Sequence, residues 1–446
     1  MSKLKHMGYP ALIALGFLIL ILTGTLLLML PFASKDGHTI GFVNALFTAS
    51  SASCVTGLVV VDTFTHWTLF GQLVILAMIQ VGGLGFMTVL MMFSLFLRRK
   101  IGLTQRSLMQ ESINTMYIGG IVRLTKRILK GTLLFEGVGA VILALRFIPD
   151  MGFWPGVYCG IFHSISAFCN AGFDVLGRFG EYTSLTRYVG DPAVSLTVMT
   201  LVVVGGVGFF VWEDICVHKL HFHQYKLHTK IVLIMTAMLI AIPTVMFFFM
   251  EKNHAYAGLD FPSRILASMF SAITPRTAGF NTTDVASLSP AGRLLTIILM
   301  FIGGSPGSTA GGIKTTTVAV LFASVIAGAK NRSIVNIFGR RLEDFAFRRA
   351  AAVTAVNLTL AVGACMLICI FQPGMLMENV LFETFSAIGT VGMSMGITSE
   401  LSAASRMVIS LLMYCGRVGS LSFALVFTES RKNPPVLFPV ERVNIG

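Results

Sequence analysis

Four copies of one short signature, each ending in glycine, punctuate the chain: SASCVTGL at 51–58, SAFCNAGF at 166–173, SAITPRTAGF at 271–280 and SAIGTVGM at 386–393. The glycines fall at Gly57, Gly172, Gly279 and Gly392, so the intervals are 115, 107 and 113 residues and four periods consume all 446 residues. Four quasi-equivalent units in one chain predict a ring around one axis.

The solvent for that ring follows from composition. Apolar residues make up 55% and charged residues 12% of the chain, and mean hydropathy is +0.81, the profile of a polytopic membrane protein. Runs of about 20 apolar residues match the hydrocarbon thickness at 1.5 Å per residue. Eight are predicted, at 8–31, 67–97, 128–148, 192–217, 230–250, 292–328, 350–371 and 405–428. The first is too long for a cleavable signal, lacks a small-residue cleavage site and is followed at once by another membrane-depth segment.

A net charge of +13 raises the question of nucleic acid, and the placement of the charges answers it. Arg98, Arg99, Lys100, Arg106, Arg123, Lys126, Arg127 and Lys130 face one acid, Glu111, and a second basic group runs from Lys330 to Arg349. These loops alternate with segments such as 174–191, where Asp174, Glu181 and Asp191 accompany Arg178 and Arg187. The positive-inside rule places the basic loops and both termini in the cytoplasm, with the protein multi-pass in the cell inner (plasma) membrane. No basic patch interleaved with aromatics is present, so nucleic acid is not the expected partner; a cytosolic protein or the anionic lipid surface is.

Seven cysteines (54, 159, 169, 216, 365, 369 and 415) have neither zinc nor convincing disulfide spacing and read as buried small hydrophobes. His218, His221, His223 and His228 crowd one basic loop, with no carboxylate expected to join them, and read as interfacial rather than metal-binding.

Each repeat has the same order. A full apolar span is followed by a segment too short to cross, at 43–52, 156–167, 261–272 and 377–387, then by the glycine motif. A second span follows and carries a glycine-rich mark: GGLGF from Gly82, GGVGFF from Gly205, GGSPGSTAGG from Gly303, and CGRVG around Gly416. The expected fold class is an all-α integral membrane protein: four fused M1–pore helix–M2 repeats, with eight transmembrane helices and four half-helices around a pseudo-fourfold pore. The repeats divide as 1–97, 98–217 with its preceding cytoplasmic loop, 218–328 with an intramembrane loop, and 329–446 with the cytoplasmic C-terminus.

Non-helical backbone inside a bilayer survives only where protein or water covers its polar groups. Four such segments therefore face each other. Half-helices present the negative ends of their macrodipoles to the centre, favouring a cation, and glycine reaches positive φ so that successive carbonyls point one way. Rings of carbonyls replacing a hydration shell are how potassium filters work. The expected ion-binding stretches are Cys54, Val55, Thr56, Gly57; Cys169, Asn170, Ala171, Gly172; Arg276, Thr277, Ala278, Gly279; and Gly389, Thr390, Val391, Gly392.

The stretch Gly303, Gly304, Ser305, Pro306, Gly307, Ser308, Thr309, Ala310, Gly311, Gly312 comes near a phosphate-binding loop, because Gly307 and Gly312 have the right spacing and Lys314-Thr315 follows one residue late. It interrupts a membrane-length apolar run instead of joining a strand to a soluble helix, so phosphate is not the expected ligand. Its composition breaks the span in mid-membrane. It reads as a mobile plug lining the aqueous path, with helix packing at small residues as the plainer alternative. Arg417, in the matching mark of repeat four, is a charge at membrane depth whose expected neighbours are the hydroxyls and carbonyls of 305–312.

With these motifs in order, and with FIGGSPGSTAGGIKTTT at 301–317, the chain resembles the membrane subunit of the Ktr, Trk and HKT superfamily of potassium transporters, specifically the Ktr type. Trk-type subunits carry further spans before the first repeat, whereas here it begins near residue 8. The resemblance implies potassium as substrate and a gate formed by 303–312. It further implies sodium as an activator, a homodimer, and a cytosolic nucleotide-binding regulatory ring that alone binds nucleotide; no cofactor is expected in this chain. The third motif departs from its siblings, since Ser271 to Gly279 is eight residues where the others need six, which reads as two residues inserted around Thr274–Arg276. That puts Arg276 near a cation path, where its charge must be paired or turned outward. Two other classes are weighed: a secondary ion-coupled transporter with broken helices, which would repeat in halves of opposite topology, and a polytopic enzyme, which would need acid and histidine clusters where Glu136, Glu213, Asp214 and Glu383 lie scattered.

Overall fold

Long apolar runs leave the backbone no partner but itself, and in the computed structural model they fold as helices. Residues 9–85, 121–219, 221–332, 334–343 and 345–419 are described by this structure. Arg98, Arg99, Lys100, Arg106 and the segment from Ser420 onward lie outside them. Helices dominate; the strands among the described residues are the two-residue pair β1 (Asn336–Ile337) and β2 (Arg340–Arg341).

Among the described residues four helices are long and apolar enough to cross a membrane: α1 (Tyr9–Leu28), α5 (Ile121–Met151), α9 (Leu227–Met250) and α13 (Ala346–Phe371). After each comes a shorter helix: α2 (Phe42–Cys54), α6 (Phe153–Phe168), α10 (Phe261–Ile273) and α14 (Met377–Gly389). At 13 to 16 residues they reach about 20–24 Å, short of a hydrocarbon layer. The expected half-helices are thus found within a few residues of their expected bounds. A one-turn helix, α3 (Thr63–His66), precedes α4 (Leu69–Leu84).

The helix that follows each half-helix begins on a side-chain cap. Thr68 caps α4, Asp191 caps α7 (Pro192–Val207), Ser289 caps α11 (Pro290–Phe301) and Ser402 caps α15 (Ala403–Val418), each accepting from a backbone N–H of the first turn. Such caps contribute about 1 kcal/mol each.

One of these helices ends short of its expected span, and the parts of the expected spans 67–97 and 405–428 beyond Gly85 and Gly419 lie outside the described residues. The run 192–217 is two helices, α7 and α8 (Phe209–His218), bent by 93°. The turn is at Gly208, whose φ of 101° suits glycine and whose missing Cβ would lie 2.7 Å from the Pro306 carbonyl. The run 292–328 is broken as expected, into α11 and α12 (Thr315–Ala329) around 302–314. Within the described residues α4 stops at Leu84, and α15 at Val418.

Between helices, small residues permit close approach. One close pair is the α5–α6 hairpin, where a Cβ on Gly160 would stand 2.6 Å from the Ala144 nitrogen and 2.8 Å from the Ala140 carbonyl. The outer faces of α5, α9 and α13 leave Leu133, Leu145, Phe249 and Ile370 about 70% exposed, a surface suited to lipid rather than water. Gly160→Val should separate the hairpin and lower the yield of monodisperse protein and its melting temperature by several degrees, as overpacking costs about 1–3 kcal/mol; thermal unfolding in detergent checks it.

Candidate ion pathway

At the C-terminal ends of α2, α6, α10 and α14 the chain leaves the helix in a left-handed conformation. Val55, Asn170, Thr277 and Thr390, each two residues before a motif glycine, have φ of 58°, 59°, 69° and 51°; Gly57, Gly172, Gly279 and Gly392 are left-handed too. The residue between stays out of that region in all four. This alternation turns successive carbonyls to one side. Hydroxyls hold the shape: Ser51 Oγ accepts from Gly57 N at 3.0 Å, Ser386 Oγ accepts from Gly392 N at 3.1 Å, Ser166 Oγ donates to the Phe173 carbonyl at 2.7 Å and Thr274 Oγ1 donates to the Phe280 carbonyl at 2.6 Å.

The four glycines close a ring. A Cβ on Gly57 would lie 2.4 Å from the Ala171 carbonyl; on Gly172, 2.8 Å from that of Ala278; on Gly279, 2.5 Å from that of Val391; and on Gly392, 2.1 Å from that of Thr56. Each glycine therefore abuts the next repeat in cyclic order, leaving no room for a side chain. Cys54 and Gly389, at the start of their expected stretches, are the last residues of α2 and α14.

The third segment corrects the expected register. Thr274, not Ser271, is the hydroxyl anchor, and it stands five residues before its glycine where Ser51, Ser166 and Ser386 stand six. The extra residues form turns after the end of α10, with Arg276 N donating to the Ile273 carbonyl and Ala278 N to that of Thr274, and the stretch from anchor to glycine is one residue shorter. Arg276 is buried with its guanidinium turned to Thr236 of α9 at 3.4 Å, away from the ring.

All four glycines line one side of a cavity of about 550 Å³, together with Asp62, Asp174 and Asp284. Asp174 lies in the loop between α6 and α7, outside the spanning helices. Burial lifts its carboxyl from the usual range to about 7, opposed by the Leu176 N–H it accepts and reinforced by the nearby Asp62 charge.

On the opposite side of the ring, residues 303–312 form a folded loop bonded to its surroundings at both ends. Gly303 N donates to the Ile313 carbonyl at 2.9 Å and Thr315 N to that of Gly304 at 3.1 Å. Toward α7 and α8, Ser305 N donates to the Gly206 carbonyl at 2.9 Å and Phe209 N to that of Gly307 at 2.8 Å. Arg417 Nη1 donates to the Thr309 carbonyl, and Nη2 donates to the carbonyls of Gly82 at 2.5 Å and Gly83 at 3.0 Å. The expected meeting of Arg417 with the loop is found; its second anchor, the end of α4, was not foreseen.

Sequence reasoning also passed over Lys314, whose ammonium donates to the Ala310 and Gly311 carbonyls at 2.8 and 3.2 Å. Its signal is a lysine beside a glycine-rich break, weighed in the sequence only as part of a near match to a phosphate loop. Elsewhere Asp214 does join the histidine cluster, at 3.0 Å from His218 Nδ1, yet among the described residues no three His, Cys, Asp or Glu side chains converge on a metal position. Of the cysteines, Cys216 is exposed.

A family model described as TrkH, cation transport protein, matches residues 8–434. The potassium/sodium uptake protein NtpJ of Enterococcus hirae is 39% identical, with 99% of this chain and 98% of that protein aligned. The Ktr system potassium uptake protein B of Bacillus subtilis is 40% identical over 95% of this chain and 94% of its own length. The crystal structure of the potassium transporter TrkH from Vibrio parahaemolyticus shares the fold at a TM-score of 0.72, covering 93% of this chain and 85% of that one, at 17% identity.

The cavity's charge depends on pH. Asp174 is neutral below about 7 and ionised above it, so the attraction of the mouth for a monovalent cation should rise between about pH 6 and pH 8. Apparent cation affinity measured across that range checks this, and Asp174→Asn should flatten the step.

Proposed function

Because this chain belongs to the TrkH family of cation transport proteins, and is a transporter and not an enzyme, we propose that it is the membrane subunit of a potassium uptake system. It comprises four repeats and eight crossings, with the boundaries expected from the sequence. Potassium is the substrate. The ion enters the acidic cavity, exchanges water for carbonyls at 54–57, 169–172, 276–279 and 389–392, and then meets the loop 303–312, pinned by Arg417. The observation that carries this reading is the closed ring of four glycines, each against the carbonyl of its neighbour. Their half-helices all end at that ring, so each contributes partial negative charge, and direct repeats of one order fit it better than inverted halves.

Charge supports the orientation. Asp62, Asp174 and Asp284 line the cavity, whereas Lys126, Arg127, Lys226 and Lys230 stand near the opposite starts of α5 and α9, which the positive-inside rule makes cytoplasmic. The name of the B. subtilis relative, one protein of a system, supports a multi-component assembly; on this reading it is a homodimer on a cytosolic nucleotide-binding ring, as the resemblance implies. Sodium acts as activator on this reading.

The test is ion flux in reconstituted vesicles. Gly279→Ala adds a Cβ 2.5 Å from the Val391 carbonyl at a φ of 76° and should lower potassium uptake and narrow its preference over sodium by about tenfold, the scale of stored backbone strain. Unchanged affinity and preference would sink the filter assignment. Arg417→Gln removes the charged tether and should raise potassium flux per folded molecule by about tenfold, the scale of a charge-assisted bond; a fall in that ratio would end the gate assignment.

A further inference from the structure

The loop does more than stand beneath the ring; it touches the filter segments themselves. Thr309, fully buried, donates its hydroxyl to the Phe168 carbonyl at 3.1 Å and to Asn170 Oδ1 at 3.2 Å. Phe168 is the last residue of α6, and Asn170 is the left-handed residue of the second segment. The other end of the Asn170 amide continues across the ring, donating to Thr277 Oγ1 at 3.3 Å and to the Arg276 carbonyl at 3.4 Å. A chain of bonds thus runs from loop to second segment to third segment.

The loop meets the fourth segment as well. A Cβ on Gly311 would lie 2.1 Å from Thr390 Oγ1, and one on Gly312 3.1 Å from the Gly389 carbonyl. Gly205 of α7 closes the remaining side: its missing Cβ would meet the Phe168 carbonyl, Thr309 Oγ1 and Asn170 Oδ1 at 2.1, 2.9 and 3.0 Å. Thr309 and Asn170 are both buried, so with the loop in place an amide oxygen left without that donor is costly.

Resting on the reading of 303–312 as the gate, we propose that the loop also braces the filter, with Asn170 as a positioning residue that sets ion discrimination through Thr309. Withdrawal of the loop removes the donor from Asn170 and Phe168, frees the second segment to move against the third, and loosens the carbonyl spacing that separates potassium from sodium. Opening and selectivity are then coupled, and an obstruction with no further role would leave them independent.

The experiment uses the full chain in vesicles, with potassium and sodium flux each measured under the same gradient and normalised to monodisperse protein. Thr309→Val, which keeps shape and deletes the hydroxyl, should raise total flux and lower the potassium-to-sodium flux ratio by about threefold to tenfold, the scale of one lost buried hydrogen bond. Thr309→Ser should restore the ratio. Asn170→Leu should lower the ratio, and combining it with Thr309→Val should lower it no further. Arg417→Gln, which frees the loop without touching the filter, should lower the ratio too and stands in if Thr309→Val does not fold. Raised flux at an unchanged ratio in Thr309→Val or Arg417→Gln would overturn the brace while leaving the potassium reading intact, as would additive losses in the double variant. A wild-type protein without potassium preference would overturn the reading itself, and the brace with it.

Discussion

Unpaired backbone at membrane depth is the constraint on which the rest depends. Each segment after a half-helix leaves carbonyls without a backbone partner, and in hydrocarbon each costs several kcal/mol. No segment can shelter itself. Four of them meeting tip to tip cover one another's polar groups, and the contacts of Gly57, Gly172, Gly279 and Gly392 with their neighbours' carbonyls show how closely they meet. The long helices, the capped helices and the small-residue crossings exist to bring those tips to one axis.

What was legible in the sequence is what repeats. Four glycines at near-equal intervals announced the ring, and runs of about 11 residues, too short to cross, announced the half-helices. Less was legible where repeats diverge. Gly208 reads in sequence like the other glycines of its mark, and its left-handed φ together with the loop carbonyl packed against it accompanies the 93° bend. The register of the third segment turned on which hydroxyl, Ser271 or Thr274, reaches back to the chain, a matter of helix phase that spacing alone leaves open. The Asn170 amide bridges elements more than 100 residues apart, and no local pattern marks a side chain for such a part.

The two sides of the ring differ in kind. The cavity side is built of loops with carboxylates at the rim, so its field depends on proton concentration and on salt. The loop side is built of main-chain carbonyls answered by two cations, Arg417 and Lys314, which between them hold the carbonyls of Thr309, Ala310 and Gly311 and those at the end of α4. A buried guanidinium needs several acceptors to be tolerated, and here it finds them on two separate elements.

One further consequence comes from the ring being made by a single polypeptide. In an assembly of four identical subunits any residue is present four times or not at all, and four guanidinium groups converging below one filter would repel each other strongly in so poor a dielectric. Here Gly83 and Gly206 stand in their marks where Arg417 stands in its own. Covalent fusion lets one quadrant carry the charge, another the amide of Asn170 and a third the broken helix, so mutation and selection can act on each quarter of the ring separately.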